Sequence, residues 1–182
     1  YGFLRGVVAE TMWPSDPPDG SAGQAIIGNA MRVVGALKLR QQSVEGTPNR
    51  YGFPYAPVYE HPTYTYPPYS TSDRNTTDFP PASDYVRERV LMPWDGSTYG
   101  TCSQLNGTGS VAGLNKYVQC DGHALIVPFN VTKEDFQGIV GELAAAKWIN
   151  VATRNVVAEA LLFHLDSTMF MKVHFLFEFQ AG

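Results

Sequence analysis

Charge is scarce in this chain. Only 16% of its 182 residues are Asp, Glu, Lys or Arg, while 44% are apolar. Globular domains usually carry about a quarter charged residues, so the deficit points to faces covered by partners or glycans. Basic residues are not in surplus either: 13 Lys and Arg against 17 Asp and Glu leave a net charge of -4. A surface that neutralises phosphates needs the opposite balance, which excludes nucleic acid as the main partner. No apolar run approaches the roughly 18 residues of a membrane helix. The nearest, 169-MFMKVHFLFEF-179, is short and is interrupted by Lys172, His174 and Glu178. No secretory signal is present, and an opening Tyr1 is not a natural start, so the chain reads as a piece of a longer protein.

Catalytic signatures are also missing. There is no Gly-x-Ser-x-Gly elbow. The glycine-rich 107-GTGSVAG-113 has no Lys-Ser/Thr to follow it and does not run from strand to helix, so it reads as a loop tip rather than a phosphate cradle. Four histidines, at 61, 123, 164 and 174, sit apart from other ligand types, except for the neighbours Glu60 and His61. Adjacent residues in an extended loop rarely converge on one ion. Neither an enzyme activity, a metal nor a cofactor is expected. His164 and His174 fall on two strands expected to pair, and a face-to-face pair would titrate near neutral or mildly acidic pH.

Cysteine is nearly absent, but the two present, Cys102 and Cys120, flank a Gly/Asn/Ser-rich stretch. Three sequons accompany them: Asn75-Thr-Thr, Asn106-Gly-Thr and Asn130-Val-Thr. Three together, all in loop-like sequence, point to a secreted or luminal compartment and to glycosylation at these asparagines. A Cys102–Cys120 disulfide fits that compartment; two buried free thiols are the alternative.

What is there reads as α+β, one domain over 1–182. The apolar segment 1–13, closed by Pro14, is the end of a helix or an extended entry. Within 31–44, Leu37 and Leu39 alternate with Lys38 and Arg40, the period of a strand. Residues 45–121 are expected to be a loop-rich insertion. Its core, 51-YGFPYAPVYEHPTYTYPPYS-70, has too many prolines for sheet or helix and too many aromatics for disorder. Tyr rings pack flat while their hydroxyls stay wet, so Tyr55, Tyr59, Tyr64, Tyr66 and Tyr69 are a candidate interface. A short strand is expected at 89–94, turns over 97–113, and a buried strand at 123–129. Thr132 caps a helix with Glu134 and Asp135 in its first turn and an apolar face of Phe136, Ile139, Val140 and Leu143, ending near Trp148 or Ile149. Two strands, about 155–165 and 169–179, close the chain as an antiparallel hairpin. Met171, Val173, Phe175, Phe177 and Phe179 share one face, expected to be buried under the 132–147 helix. The architecture is thus a mainly antiparallel sheet with helices packed on one face and a long loop-rich excursion.

The junction 147-KWINVATRN-155 carries a further signal. A helix, then Trp148-Ile149-Asn150, Thr153-Arg154, a strand containing Glu159 and a strand ending in Glu178-Phe179 and Gly182 resembles the extracellular domain of the polycystin family. Asn29, Gly35, Leu37, Leu39, Arg40, Gln41 and Val44 look like that family's opening strand, and Trp13-Pro14 like the breaker after its first helix. Gln42 stands where the family usually has Arg, and Asn150 where Asp is usual. The Tyr/Pro segment replaces a loop region that holds a cysteine pair in vertebrate members, and Cys102 and Cys120 do not match that pair in position. The resemblance implies a domain between the first and second helices of a six-helix, calcium-permeable cation channel, typically in ciliary membranes. It also implies assembly of four homo- or heteromeric subunits into a lid above the pore. A polycystin-1-like or mucolipin-like relative is a further possibility, though the Thr-Arg junction fits polycystins better. Trp148, Thr153, Arg154 and Glu159 are then structural junction residues. Trp148 is expected to anchor the helix end on the sheet, and Arg154 to bond backbone carbonyls or an acid such as Glu159 or Asp166. The other functional class open to the sequence is an adhesion module that binds an extracellular glycoprotein through its Tyr/Pro loop.

Overall fold

The computed structural model describes residues 1–13, 26–27, 31–48, 64–105 and 120–179. A π-helical stretch, Leu4–Val8, runs into α1 (Ala9–Met12). It is followed by β1 (Ile26–Ile27), β2 (Met31–Ser43), the two-residue strands β3 (Thr47–Pro48) and β4 (Tyr64–Thr65), and α2 (Asp84–Arg87). The chain continues through β5 (Asp95–Gly100), β6 (Gly122–Pro128), α3 (Lys133–Ala145), β7 (Thr153–His164) and β8 (Met169–Glu178). The main sheet is antiparallel with order β5-β6-β2-β7-β8, and β1 pairs beside β2. The class is α+β, a mainly antiparallel sheet with helices on one face.

The strand period of β2 decides which face is which. Leu37 and Leu39 point to the helices and are fully buried in the core, while Lys38, Arg40 and Gln42 point to the opposite, far face. The ladder slips between Val34 and Lys38, where Gly35 takes φ 83°, a conformation cheap only for glycine. On the helix side α3 lays down Phe136, Ile139, Val140 and Leu143, all buried. Each such side chain contributes about 1.5–3 kcal/mol on leaving water. Trp13, at the end of α1, stacks on Phe136 with ring centroids 4.5 Å apart.

Both ends of α3 are set by local chemistry. Thr132 Oγ1 accepts from the Asp135 amide at 3.0 Å, the expected cap. At the other end Lys147 adopts φ 51°, and the helix closes with two reverse bonds. The Lys147 amide donates to Ala144 O at 3.1 Å and the Trp148 amide to Leu143 O at 2.9 Å. This is a Schellman stop, with a lysine where glycine is usual. It ends the helix at Ala145, short of the expected Trp148 or Ile149.

Several expectations are corrected. No strand forms at 89–94. Pro93 lacks an amide, so the chain turns there; Leu91 and Trp94 each bond Ile126, and the strand begins only at Asp95. Residues 97–100, read as turn, are therefore strand, because pairing with β6 overrides their weak propensity. The short helix α2 was not expected. Sheet does enter the Tyr/Pro segment, as the exposed two-residue pairing of β4 with β3. His164 and His174 do not face each other: the hairpin register pairs His164 with Met169 and His174 with Glu159. The largest correction concerns β8. Its phenylalanine face is not buried under α3; Met171 is 45% exposed, Phe175 44% and Phe179 36%. β8 is an edge strand beyond the reach of α3, which packs instead with the first helical segment over the middle of the sheet. That face is covered only in part, by Phe3, whose ring lies 5.1 Å from Phe177.

Candidate functional site

The far face of the sheet carries a buried polar network that binds the loop excursion to the strands. Asp121, immediately before β6, is its hub. Gln42 Nε2 donates to Asp121 O at 2.9 Å and to its Oδ1 at 2.8 Å. Arg74 Nη1 and the Tyr99 hydroxyl donate to Oδ2 at 2.5 and 2.7 Å. Arg40 Nη1 donates to Asp121 O at 3.1 Å, and Asn155 Nδ2 donates to Gln42 Oε1 at 2.8 Å. The carboxylate accepts from one cation and two neutral donors, which is how a buried charge is tolerated. Burial, then the Asp121 charge, pushes the Tyr69 hydroxyl up to about 12, and the same causes raise that of Tyr99. Both phenols remain neutral, and that of Tyr99 donates to Asp121.

Glu159 is the second node. It meets Lys172 at 3.2 Å, Arg40 at 3.5 Å and His174 at 3.9 Å. Burial raises its pKa, but Lys38, Arg40 and Lys172 together outweigh burial and hold it below the usual range. Burial also lowers Lys38 and His174, with Glu159 opposing in each case. Lys38 Nζ donates to Leu105 O at 3.0 Å. Residues 102 to 105 are held there because Cys102 is disulfide-bonded to Cys120, next to Asp121.

Residues 66–79 are fastened across this face at successive points. Arg154, 2% exposed, donates from Nε to Pro67 O and from Nη2 to Tyr66 O, both at 2.9 Å. Its Nη1 bonds Val151 O and Thr153 O, so these four bonds all end on backbone carbonyls, one of the two partner types expected. The Glu45 amide donates to Asp73 O and the Asn75 amide to Ser43 O. On the helix side of the sheet, in line with Leu125 and Val127, His123 is wholly buried, with Nε2 3.0 Å from Thr77 O. A carbonyl only accepts, so Nε2 carries the proton. Burial lowers its pKa and outweighs that bond, which raises it. Its ring meets Phe79 and Tyr99 edge-on at 4.6 and 5.3 Å.

Thr153 and Trp148 complete the junction from the helix side. Trp148 is 2% exposed, and its Nε1 donates to Gly96 O at 2.8 Å, pinning the end of α3 to β5. Thr153 Oγ1 accepts from the Asn150 amide and from Gln41 Nε2, which also reaches Trp148 O. Thus 147-KWINVATRN-155 is a helix stop, an anchor, a tight turn and a clamp on the neighbouring loop.

Of the tyrosines singled out, Tyr64 is 47% exposed, while Tyr66 and Tyr69 are half-buried in the clamp. Tyr55 and Tyr59 lie outside the described residues, as do Asn106, Glu60, His61 and the stretch 107–113. Asn130 is exposed; Asn75 is half-buried, with Oδ1 accepting from the Thr77 amide at 2.9 Å. Among the described residues no group of His, Cys, Asp or Glu is placed to hold a metal ion, and no helix is long and apolar enough to cross a membrane. Sequence reasoning missed Asp121, Gln42, Arg74 and His123 as site residues. The available signal was the polar row Lys38, Arg40, Gln42 at strand period, which needs a partner layer.

The fold is a helix-backed sheet whose other face grips residues 66–75 through a buried polar network. A family model, the Polycystin domain, matches residues 1–182. The chain belongs to the polycystin family, and is an extracellular domain of a channel of that family. No curated protein matches it.

Proposed function

We propose that residues 1–182 form one domain, inserted between the first and second membrane helices of a polycystin-2-like, calcium-permeable channel. It sits on the extracellular side of the plasma or ciliary membrane and acts as an assembly and gating lid over the pore of a tetramer. The family match over the full chain carries this reading. The path of the chain supports it. Phe3 packs on Phe177, and the Tyr1 hydroxyl accepts from the Ile149 amide at 2.6 Å, so the first helix starts beside the end of β8. The start of the first helix and the end of β8 therefore lie together at one end of the domain, an arrangement compatible with two adjacent membrane helices. In this role the domain is not an enzyme and needs no cofactor. Asn75, Asn106 and Asn130 carry glycans, and Tyr64 and its neighbours in the excursion face other subunits or a glycoprotein ligand.

The test is the full-length coding sequence followed by patch-clamp recording. One apolar span before Tyr1 and five after Gly182, with calcium-carrying currents at the cell surface, is the expected result. Absence of apolar spans beyond Gly182 would overturn it and favour the adhesion module.

A further inference from the structure

The exposed face of β8 is not scattered surface. Met169, Met171 and Phe175 are 64%, 45% and 44% exposed on one side of the strand. Phe3 and Val7, four residues apart on the first helix and 40% and 55% exposed, stand beside them. Between helix and strands runs a groove of about 230 Å³ floored by Ala158, Ala160 and Val173. Contiguous apolar surface of this kind marks an interaction site.

Where the chain ends lie decides the occupant. The start of the helix and the end of β8 share one end of the domain, next to the membrane in the channel reading, on which this inference rests. β8 is 10 residues long. Met169 therefore stands about 30 Å from that end, at roughly 3.3 Å per residue. A bilayer beneath the chain ends cannot cover Met169 and Met171, so their cover is protein. The opposite edge of the sheet is already closed: the Phe79 amide bonds Ser97 O at 2.9 Å, and the Tyr99 amide bonds Asp78 Oδ1 at 2.8 Å. Among the described residues the sheet thus has one closed edge and one apolar edge, β8, that pairs with no further strand. In a ring of more than two copies every contact joins two different surfaces. We infer that the β8 face and its groove with the first helix seat a different surface of a second copy of this chain, the neighbouring subunit around the pore.

A Met171→Cys variant tests this with a membrane-impermeant maleimide. In the full-length protein at the cell surface, labelling is expected to be ~10-fold or more slower than in the 182-residue chain, because an interface core excludes water. Equal rates, with the full-length protein still crosslinking as an oligomer, would overturn the inference and leave the channel reading standing. A full-length protein that crosslinks only as a monomer would overturn both. Slow labelling in the 182-residue chain would show that its own residues cover the stripe. Labelling restored by mild detergent while the crosslinked oligomer persists would show lipid there; either result refutes a subunit contact. Met169→Lys with Met171→Lys is expected to reduce the crosslinked oligomer. Leu91→Lys, at a site 47% exposed elsewhere, is expected to leave it unchanged.

Discussion

The two faces of the sheet are held by different physics. The helix face is dry: Leu39, Leu125, Phe136, Ile139 and Val140 are completely buried and interlock without a charge among them. The far face buries Arg40, Gln42, Asp121, Asn155 and Glu159, and uses them to fasten residues 66–79. Apolar burial is non-directional and tolerates similar shapes. A buried charge network holds one geometry, and loses heavily when a single member is removed. The helix face therefore supplies stability, and the far face fixes where the loops lie.

Breaking each face in turn separates them. Phe136→Ala is expected to have the largest effect, about 3–5 kcal/mol of global stability in denaturant unfolding. Asp121→Ala removes the carboxylate to which Arg74, Gln42 and Tyr99 donate, and is expected to cost about 3 kcal/mol. Much of that loss should appear first as proteolysis within 66–79 rather than in the melting of α3. Acidification sharpens the contrast, because Glu159 and His174 lie on the far face and His123, though it shares the helix side with Gln41, holds Thr77 of the fastened segment. His123 and His174 are held below their ordinary 6.5 chiefly by burial. As pH falls through 6.5 the unfolded chain binds protons that the native state refuses, so stability falls. Glu159, held below its ordinary 4.5, adds stability above that value and loses it as pH falls further. Thermal melts from pH 7.5 to 4 are expected to decline throughout; a rise on acidification would contradict the assignment. The smallest effect is a gain. Lys147→Gly relieves the left-handed φ of 51° at the end of α3, and is expected to stabilise by about 1 kcal/mol, measured by denaturant midpoint.

The dry face was legible in sequence because its signals are periodic and local. Thr132 and the spacing of Phe136, Ile139, Val140 and Leu143 mark α3, and the alternation through Leu37 and Leu39 marks β2. The same alternation misled at β8. A phenylalanine stripe marks a face for burial but does not say whether the cover comes from the same subunit. The far face was mostly illegible because its contacts are distant in sequence: Arg74 and Gln42 reach Asp121 across 47 and 79 positions. The Trp-Ile-Asn…Thr-Arg junction was recognised by resemblance, but its clamp on Tyr66 and Pro67 spans 88 and 87 positions and has no local trace.

Native-state amide hydrogen exchange on Asp121→Ala tests the central claim most directly. If the far face positions loops and the helix face supplies stability, the protected amides of 73–79 should exchange faster while those of 133–145 and 153–164 keep their relative order. Uniform loss of protection across the domain, or no change in 73–79, would contradict it.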